Sequence, residues 1–90
     1  MKLNLNFGFK TLDGSEVDTA SKAVANILSV GPTPGFNSIK AYDFALKLFN
    51  EGEIEIDRTD LNILEKIVTD SQLFNFAKAQ ILEAIKKIEE

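Results

Sequence analysis

Hydrophobic and polar positions alternate in two short segments of the chain. From Leu3 to Phe9 every second side chain is apolar, which is the period-2 pattern of a half-buried strand. Residues 51–57, EGEIEID, repeat the alternation, with Ile54 and Ile56 set between acidic side chains. The pattern predicts two amphipathic strands, each with one face turned toward a core.

Glycine and proline predict two changes of direction. Asp13-Gly14 suits the positive φ angles of a tight turn, so the chain is expected to double back as a short arm through Glu16 and Val17. Residues 31–37, GPTPGFN, hold both prolines and are predicted to be a loop. Phe36, at the edge of this loop, is expected to tuck back into the core or into a partner.

Four later segments carry a helical period instead of a strand period. Thr19 or Ser21 is expected to accept from the first free amides of the first helix, and Ser38 is expected to cap the second. Asp57 or Thr59 is expected to cap the third. The apolar residues at helical spacing are, helix by helix, Ala20, Ala23, Val24, Ile27 and Leu28; Ile39, Tyr42, Ala45, Leu46 and Phe49; Leu61, Leu64, Ile67 and Val68; and Phe74, Ala77, Ile81, Ala84, Ile85 and Ile88.

The second helix is apolar over more than half its circumference, because Phe44 and Leu48 lie beside its main stripe. A domain this small buries both sides of such a helix only with difficulty, and a surplus apolar patch marks an interaction surface. A protein partner or a homo-oligomer is therefore predicted. The aromatic residues assigned to the interface are Phe36, Tyr42, Phe44, Phe49, Phe74 and Phe76.

The polar faces of the two predicted strands carry opposite charges. Lys2 and Lys10 lie on the first strand, opposite an acidic row on the second. Pairing the strands would set these charges on one exposed surface, where each cross-strand contact is worth about 0.2–1 kcal/mol. The prediction is an α+β fold, a small two- or three-stranded sheet covered by about four helices, in a single domain over residues 1–90. The acidic row consists of Glu53, Glu55 and Asp57.

A calcium site and a contact for a basic partner are the functional alternatives for the acidic row. Calcium needs six to eight oxygen ligands from a curved loop, whereas residues 53–57 alternate and contain no glycine. The solvated outer face of a strand is the favoured interpretation, and no metal is predicted. Asp57 and Asp60 are interpreted as a helix cap and a first-turn acid rather than as a catalytic pair.

The absence of two residue types narrows the chemistry that the chain can perform. It has no cysteine and no histidine, so thiolate nucleophiles, disulfides and the commonest general base are excluded. No serine sits in a nucleophile-elbow motif, and a carboxylate-based hydrolase is a minor alternative. We therefore expect a protein that is not an enzyme and has no cofactor. No signal peptide or membrane span is predicted, which favours a cytoplasmic location.

The charge pattern argues against nucleic acid as a partner. The net charge is −4 and arises in residues 46–90, while no cluster of Lys and Arg of the kind that binds phosphate backbones is present. The densest basic spot, Lys86-Lys87, has Glu83 and Glu89 as neighbours. Mimicry of DNA is conceivable, but the charge is mild and the acids are interleaved with Lys.

An anionic ligand at the start of the second helix is the alternative functional hypothesis. Free amides at Asn37 and Ser38 would face such a ligand, with Lys40 close by. The preceding loop lacks the Lys-Ser/Thr of a phosphate-binding loop, so a plain capped loop competes with this interpretation. An anionic metabolite or a nucleotide is the class of ligand implied.

Several short segments together resemble a known group of proteins. They are KLNLNF (2–7), LDG (12–14), ANIL (25–28), SIKAYDFALKL (38–48), EIEID (53–57) and AKAQILE (77–83). This layout is similar to small accessory proteins encoded by tailed phages and prophages, a group with no defined activity. The resemblance implies a protein of viral origin and transfers no function to any residue. Taken together, we expect a non-enzymatic interaction protein that binds and modulates, or helps assemble, another protein.

Overall fold

The computed structural model describes residues 1–89. These residues form an α+β fold, which confirms the predicted class. The sheet is divided, however, into two separate antiparallel pairs of strands, β1 with β4 and β2 with β3. The elements in chain order are β1 (Lys2–Asn4), β2 (Gly8–Lys10), β3 (Glu16–Thr19), α1 (Ala20–Val30), α2 (Ser38–Glu51), β4 (Glu53–Glu55), α3 (Arg58–Asp70) and α4 (Asn75–Glu89).

The first predicted strand is two strands, so its prediction as one element was wrong. The chain turns at Asn6, whose backbone amide donates to the Asn4 side-chain oxygen at 2.8 Å. Such a local side-chain bond offers the backbone an alternative to the ladder. Beyond the turn, the chain leaves β4 and pairs with β3 instead.

The pairing of β1 with β4 confirms the interpretation of the acidic row as an outer face. Leu3 lies opposite Ile54, and Ile54 and Ile56 are 2% and 4% exposed, pointing into the core as predicted. On the polar face Lys2 Nζ lies 3.6 Å from Glu53 Oε1. Lys10 does not share this surface, because it belongs to β2 in the other sheet.

The predicted turn at Asp13-Gly14 is confirmed as the tip of the β2–β3 hairpin. Phe9 pairs with Val17, and Gly14 adopts φ +89°. The Thr11 hydroxyl and the Ser15 amide both donate to Asp13 Oδ1, with the amide at 3.0 Å. The turn is therefore closed by a polar side chain as well as by glycine.

Helix α1 is capped by backbone carbonyls rather than by a side chain. Thr19 is its N-cap residue but makes no side-chain cap bond, and Ser21 is a buried residue of its first turn. The Ala20 amide donates to the Phe7 carbonyl at 2.8 Å, and the Ser21 amide donates to the Leu5 carbonyl at 2.9 Å. The predicted cap by Thr19 or Ser21 was wrong, because the turned segment after β1 supplies the acceptors.

Side-chain caps begin the next two helices. The Asn37 side chain accepts from the Lys40 amide at 2.8 Å, so Asn37 and not Ser38 caps α2. The Asp57 carboxylate accepts from the Asp60 amide at 2.7 Å at the start of α3, as predicted. Asp57 is thus a cap residue, and Asp60 is the first-turn acid expected beside it.

The core lies between the two small sheets and the four helices that the described residues form. The predicted stripes of α3 and α4 face it, with Leu61, Leu64 and Ile81 fully buried. Helix α4 packs against α3, β1 and β2, and the Gln80 side-chain amide exchanges two hydrogen bonds with the Lys10 backbone, at 2.8 and 2.9 Å. Helices α1 and α2 pack side by side on the other flank of the core.

Candidate functional site

Four large apolar side chains of α2 point away from the core. Their spacing of three, four and three residues places them on one face of the helix, and we name them the α2 stripe. Their exposed fractions show that the fold leaves this face uncovered. The members are Ile39 at 85%, Tyr42 at 55%, Leu46 at 43% and Phe49 at 58%.

The opposite face of α2 is apolar too, and it alone reaches the core. Ala41, Phe44, Ala45 and Leu48 are all buried. Ala41 and Ala45 are small residues at i and i+4, so a neighbouring helix can approach this side of α2 closely. Because one helix can turn only one side to a core, the larger side chains of the stripe face outward.

The α2 stripe has a polar rim. On one side, Lys22 of α1 places its ammonium 5.5 Å from the Phe49 ring centroid, a distance suited to a cation–π contact. Lys22 lies near the start of α1 and Phe49 near the end of α2, so the two helices run antiparallel. On the other side, Lys47 Nζ lies 3.2 Å from Asp43 Oδ2. An apolar centre with a polar rim is the usual anatomy of a protein interface.

The structure divides the aromatic residues predicted at an interface into two groups. Tyr42 and Phe49 lie in the α2 stripe. Phe36 and Phe44 are 8% and 7% exposed and contact each other edge to face at 5.4 Å, so their assignment to an interface is replaced by a place in the core. Phe36 thereby takes the first of the two positions expected for it, because its ring fills the space between the 31–37 loop and α2.

Phe74 and Phe76 belong to an aromatic cluster at the start of α4. Phe74 is 75% exposed and stacks on Phe76, with ring centroids 6.1 Å apart. Phe76 is partly buried and meets Phe9 of the β2–β3 hairpin edge to face at 6.3 Å. Phe76 thus links helix and hairpin, and Phe74 is the more exposed of the two rings.

The residues predicted to bind an anion are not arranged around a common pocket. Asn37 directs its side-chain oxygen to the Lys40 amide as a helix cap. The Lys40 ammonium lies 2.6 Å from Asp60 Oδ2 on α3, and this hydrogen bond to Asp60 raises the pKa of Lys40. Ser38 lines a groove of about 720 Å³ along the 31–37 loop. Asn37 and Lys40 do not line this groove.

A second groove, of about 590 Å³, lies on the far side of the same loop. Its apolar lining includes Ile27, Val30 and Ile67, and Lys66 and Asp70 of α3 stand at its edge. This volume falls in the range of small-molecule sites. Sequence reasoning missed the groove because its wall joins the end of α1 to the end of α3.

Among residues 1–89, the buried polar side chains are Ser21 and Asp60, each in the first turn of a helix. No three His, Cys, Asp or Glu side chains in this range are placed to hold a metal ion. Every fully buried side-chain nitrogen or oxygen among the described residues has a hydrogen-bond partner. None of the helices of residues 1–89 is both long and apolar enough to cross a membrane.

Two members of the α2 stripe, Ile39 and Leu46, are absent from the predicted interface set, which contained aromatic residues alone. The pattern of α2 held a signal for them, since the small residues Ala41 and Ala45 mark the side that packs closely on another helix. The larger apolar side chains then fall on the free side.

Comparison with known proteins finds no matching family model, no matching curated protein and no matching solved structure.

Proposed function

We propose that this chain is a non-enzymatic protein-binding module that uses the α2 stripe to bind, and so modulate or help assemble, another protein. The observation that carries the proposal is the exposure of four large apolar side chains on one helical face. Such a face costs solubility in a monomer and is stabilised when a partner covers it. A helix that presents anchors at i, i+3, i+7 and i+10 suits a partner groove or a partner helix.

Three further observations support a binding role over a catalytic one. The sequence lacks His and Cys, no fully buried polar side-chain atom of residues 1–89 is left unpaired, and the rim of the stripe is polar. We also propose a cytoplasmic location, with which the missing cysteines are consistent. The phage-like layout of the sequence fits a small accessory protein of this kind.

Site-specific photo-crosslinking tests the proposal. A photoreactive phenylalanine analogue at Leu46 is expected to give one discrete adduct in extract from the native host, because Leu46 lies within the stripe. The same analogue at Lys87, an exposed residue of α4, is the control and should give none. Excess unlabelled protein should change the yield of the adduct, whereas the Leu46→Glu variant should not. An adduct that forms equally from both positions would refute the proposal.

Small-ligand binding is a second candidate function, and the groove of about 590 Å³ beside the 31–37 loop favours it. Its apolar wall and its charged edge suit a small molecule with an apolar body and an ionic end. Thermal-shift screening with metabolites and nucleotides tests this role, since ligand at 100 times its dissociation constant stabilises a protein by about 2.7 kcal/mol. The absence of any shift across the panel would remove this candidate.

A further inference from the structure

We propose that the partner of the α2 stripe is a second copy of this chain, bound through an antiparallel, two-fold symmetric contact between the two α2 helices. This inference rests on the protein-binding role proposed above and names its partner. A closed two-fold dimer is the commonest oligomer of soluble proteins, and it requires a surface that is complementary to itself. The α2 stripe meets that requirement in its spacing and in its charges.

The spacing of the stripe is symmetric about Phe44. Ile39 and Phe49 each lie five positions from residue 44, and Tyr42 and Leu46 each lie two positions from it. A two-fold axis that crosses α2 at this level therefore sets Ile39 of one copy against Phe49 of the other, and Tyr42 against Leu46. Each contact occurs twice, and each pairs an aromatic ring with an aliphatic side chain.

The charges beside the stripe complement themselves in the same arrangement. An antiparallel two-fold pair brings the same flank of each helix together. Asp43 lies one position before the two-fold axis, and Lys47 lies three positions after it. In the antiparallel pair, Lys47 of the second copy therefore falls two positions from Asp43 of the first. At a rise of about 1.5 Å per residue, the two side chains stand about 3 Å apart along the helix axis. Both side chains are more than half exposed, and two ion pairs can form across the contact.

The parallel arrangement is disfavoured by the same charges. A parallel two-fold pair keeps residues at equal height and joins opposite flanks, which sets Lys47 of one copy against the α1 side of the other. Lys22 stands on that side at the level of Phe49, only two positions from Lys47. Lys47 and Lys22 would then repel each other, so the charges around the stripe favour the antiparallel pair.

The size of the stripe indicates a weak dimer. A whole aromatic side chain buries about 150–250 Å², so four partly exposed side chains offer on the order of 400 Å² of apolar surface to a partner. A standard interface takes about 800 Å² from each protein. Association is therefore expected at high micromolar concentration, and measurements should reach about 1 mM to detect it.

Charge reversal across the contact provides the test, with sedimentation equilibrium as the measurement. Asp43→Lys and Lys47→Asp should each weaken the dimer at least tenfold, because each single change sets two like-charged pairs in the contact. An equimolar mixture of the two variants should form a heterodimer, since every pair across it is again opposite in sign. The double variant D43K/K47D should dimerise as the original chain does.

Glu83→Lys and Lys87→Glu are matched control variants, because these residues form the same acid-to-base i, i+4 pattern on α4. Both should leave the dimer unchanged, and circular dichroism should show that all variants are folded. A chain that stays monomeric up to about 1 mM overturns the inference, as does a dimer that all single variants leave intact.

The mass of the photo-crosslinked adduct separates this inference from the proposed function. An adduct at position 46 of twice the chain mass of 10.0 kDa supports the second copy. A discrete adduct of another mass, with no dimer in solution, overturns the second copy and leaves the protein-binding function standing. No specific adduct together with no dimer overturns both.

Discussion

At the tip of the β2–β3 hairpin, Asp13 shows how one side chain can hold a turn. The Thr11 hydroxyl donates to its carboxylate, as does the Ser15 amide. These bonds, with that from Thr11 as the largest cause, lower the pKa of Asp13 from 3.8 to about 2. A carboxylate whose folded-state pKa is lowered stabilises the fold above its unfolded pKa, and this contribution is lost as the pH falls through the folded value.

Titration of the Asp13 carboxyl carbon by NMR is therefore expected to give a midpoint of about 2. Replacing Thr11 by Val removes the main donor and should move the midpoint of Asp13 up toward 3.8. Ser15→Ala keeps the backbone donor and should produce a smaller rise. A midpoint near 3.8 in the unmodified chain would show that the turn lacks these bonds in solution.

Two glycines with similar φ angles should respond differently to an added methyl group. Gly52 ends α2 at φ +77° and a Cβ there would lie 3.0 Å from Asn6 Cβ, whereas Gly14 at φ +89° faces open space. Both positions strain an L residue, by about 1 kcal/mol. Gly52→Ala should cost more unfolding free energy than Gly14→Ala, measured by urea denaturation, because Asn6 must also move. Equal costs would contradict the close approach of the two segments.

Gln80 joins α4 to the β2–β3 hairpin. Its amide donates to the Lys10 carbonyl and its oxygen accepts from the Lys10 amide, so it occupies backbone groups at the outer edge of β2. Open edges of this kind invite pairing with other chains. Gln80 thus covers this edge and fixes the position of the hairpin.

Gln80→Ala should lower the free energy of unfolding by about 1 kcal/mol, the net worth of such hydrogen bonds. Hydrogen exchange at the Lys10 amide should become faster than in the unmodified chain. Gln72→Ala, at an exposed position beyond α3, is the control and should leave this amide protected. Unchanged exchange in Gln80→Ala would mean that the two side-chain bonds do not form in solution.

The periodicity of the sequence predicts helices α3 and α4 better than it predicts α2. Helices α3 and α4 each carry one apolar stripe, so periodicity indicates both their extent and their buried face. For α2 periodicity gives the helix but not its direction, because both of its faces are apolar and packing against α1 decides between them. The sequence thus predicts an exposed apolar surface on α2 but does not identify all of its residues.

Long-range contacts decide features that the local sequence pattern does not show. The alternation from Leu3 to Phe9 runs unbroken through Asn6, yet the carbonyls of Leu5 and Phe7 turn to the amides that begin α1. Lys40, expected beside an anion, instead pairs with Asp60, which lies 20 residues further along on another helix. No pattern local to either segment contains these partners.

The fold separates apolar residues that stabilise the core from apolar residues that remain exposed. Leu64 of α3 is fully buried, whereas Leu46 of the α2 stripe is 43% exposed. The helices around the core account for the first group, whereas the described chain covers the second group only in part. The two leucines therefore contribute differently to the stability of the fold despite their identical chemistry.

Leu64→Ala should reduce the free energy of unfolding by about 2–5 kcal/mol, because it leaves a cavity in the core. Leu46→Ala should change it by less than about 1 kcal/mol. Urea denaturation at low protein concentration, where association is absent, measures both values. A large loss for Leu46→Ala would show that the stripe packs within the monomer.

The junction between the first strands and α1 affects which residues can be substituted at the start of this helix. Since main-chain carbonyls of Leu5 and Phe7 satisfy the opening amides of the helix, no particular side chain is needed at Thr19 to begin it. Substitution of Thr19 is therefore expected to leave the helix start intact while the backbone path is kept. Distant descendants could therefore share this junction without sharing any recognisable motif there.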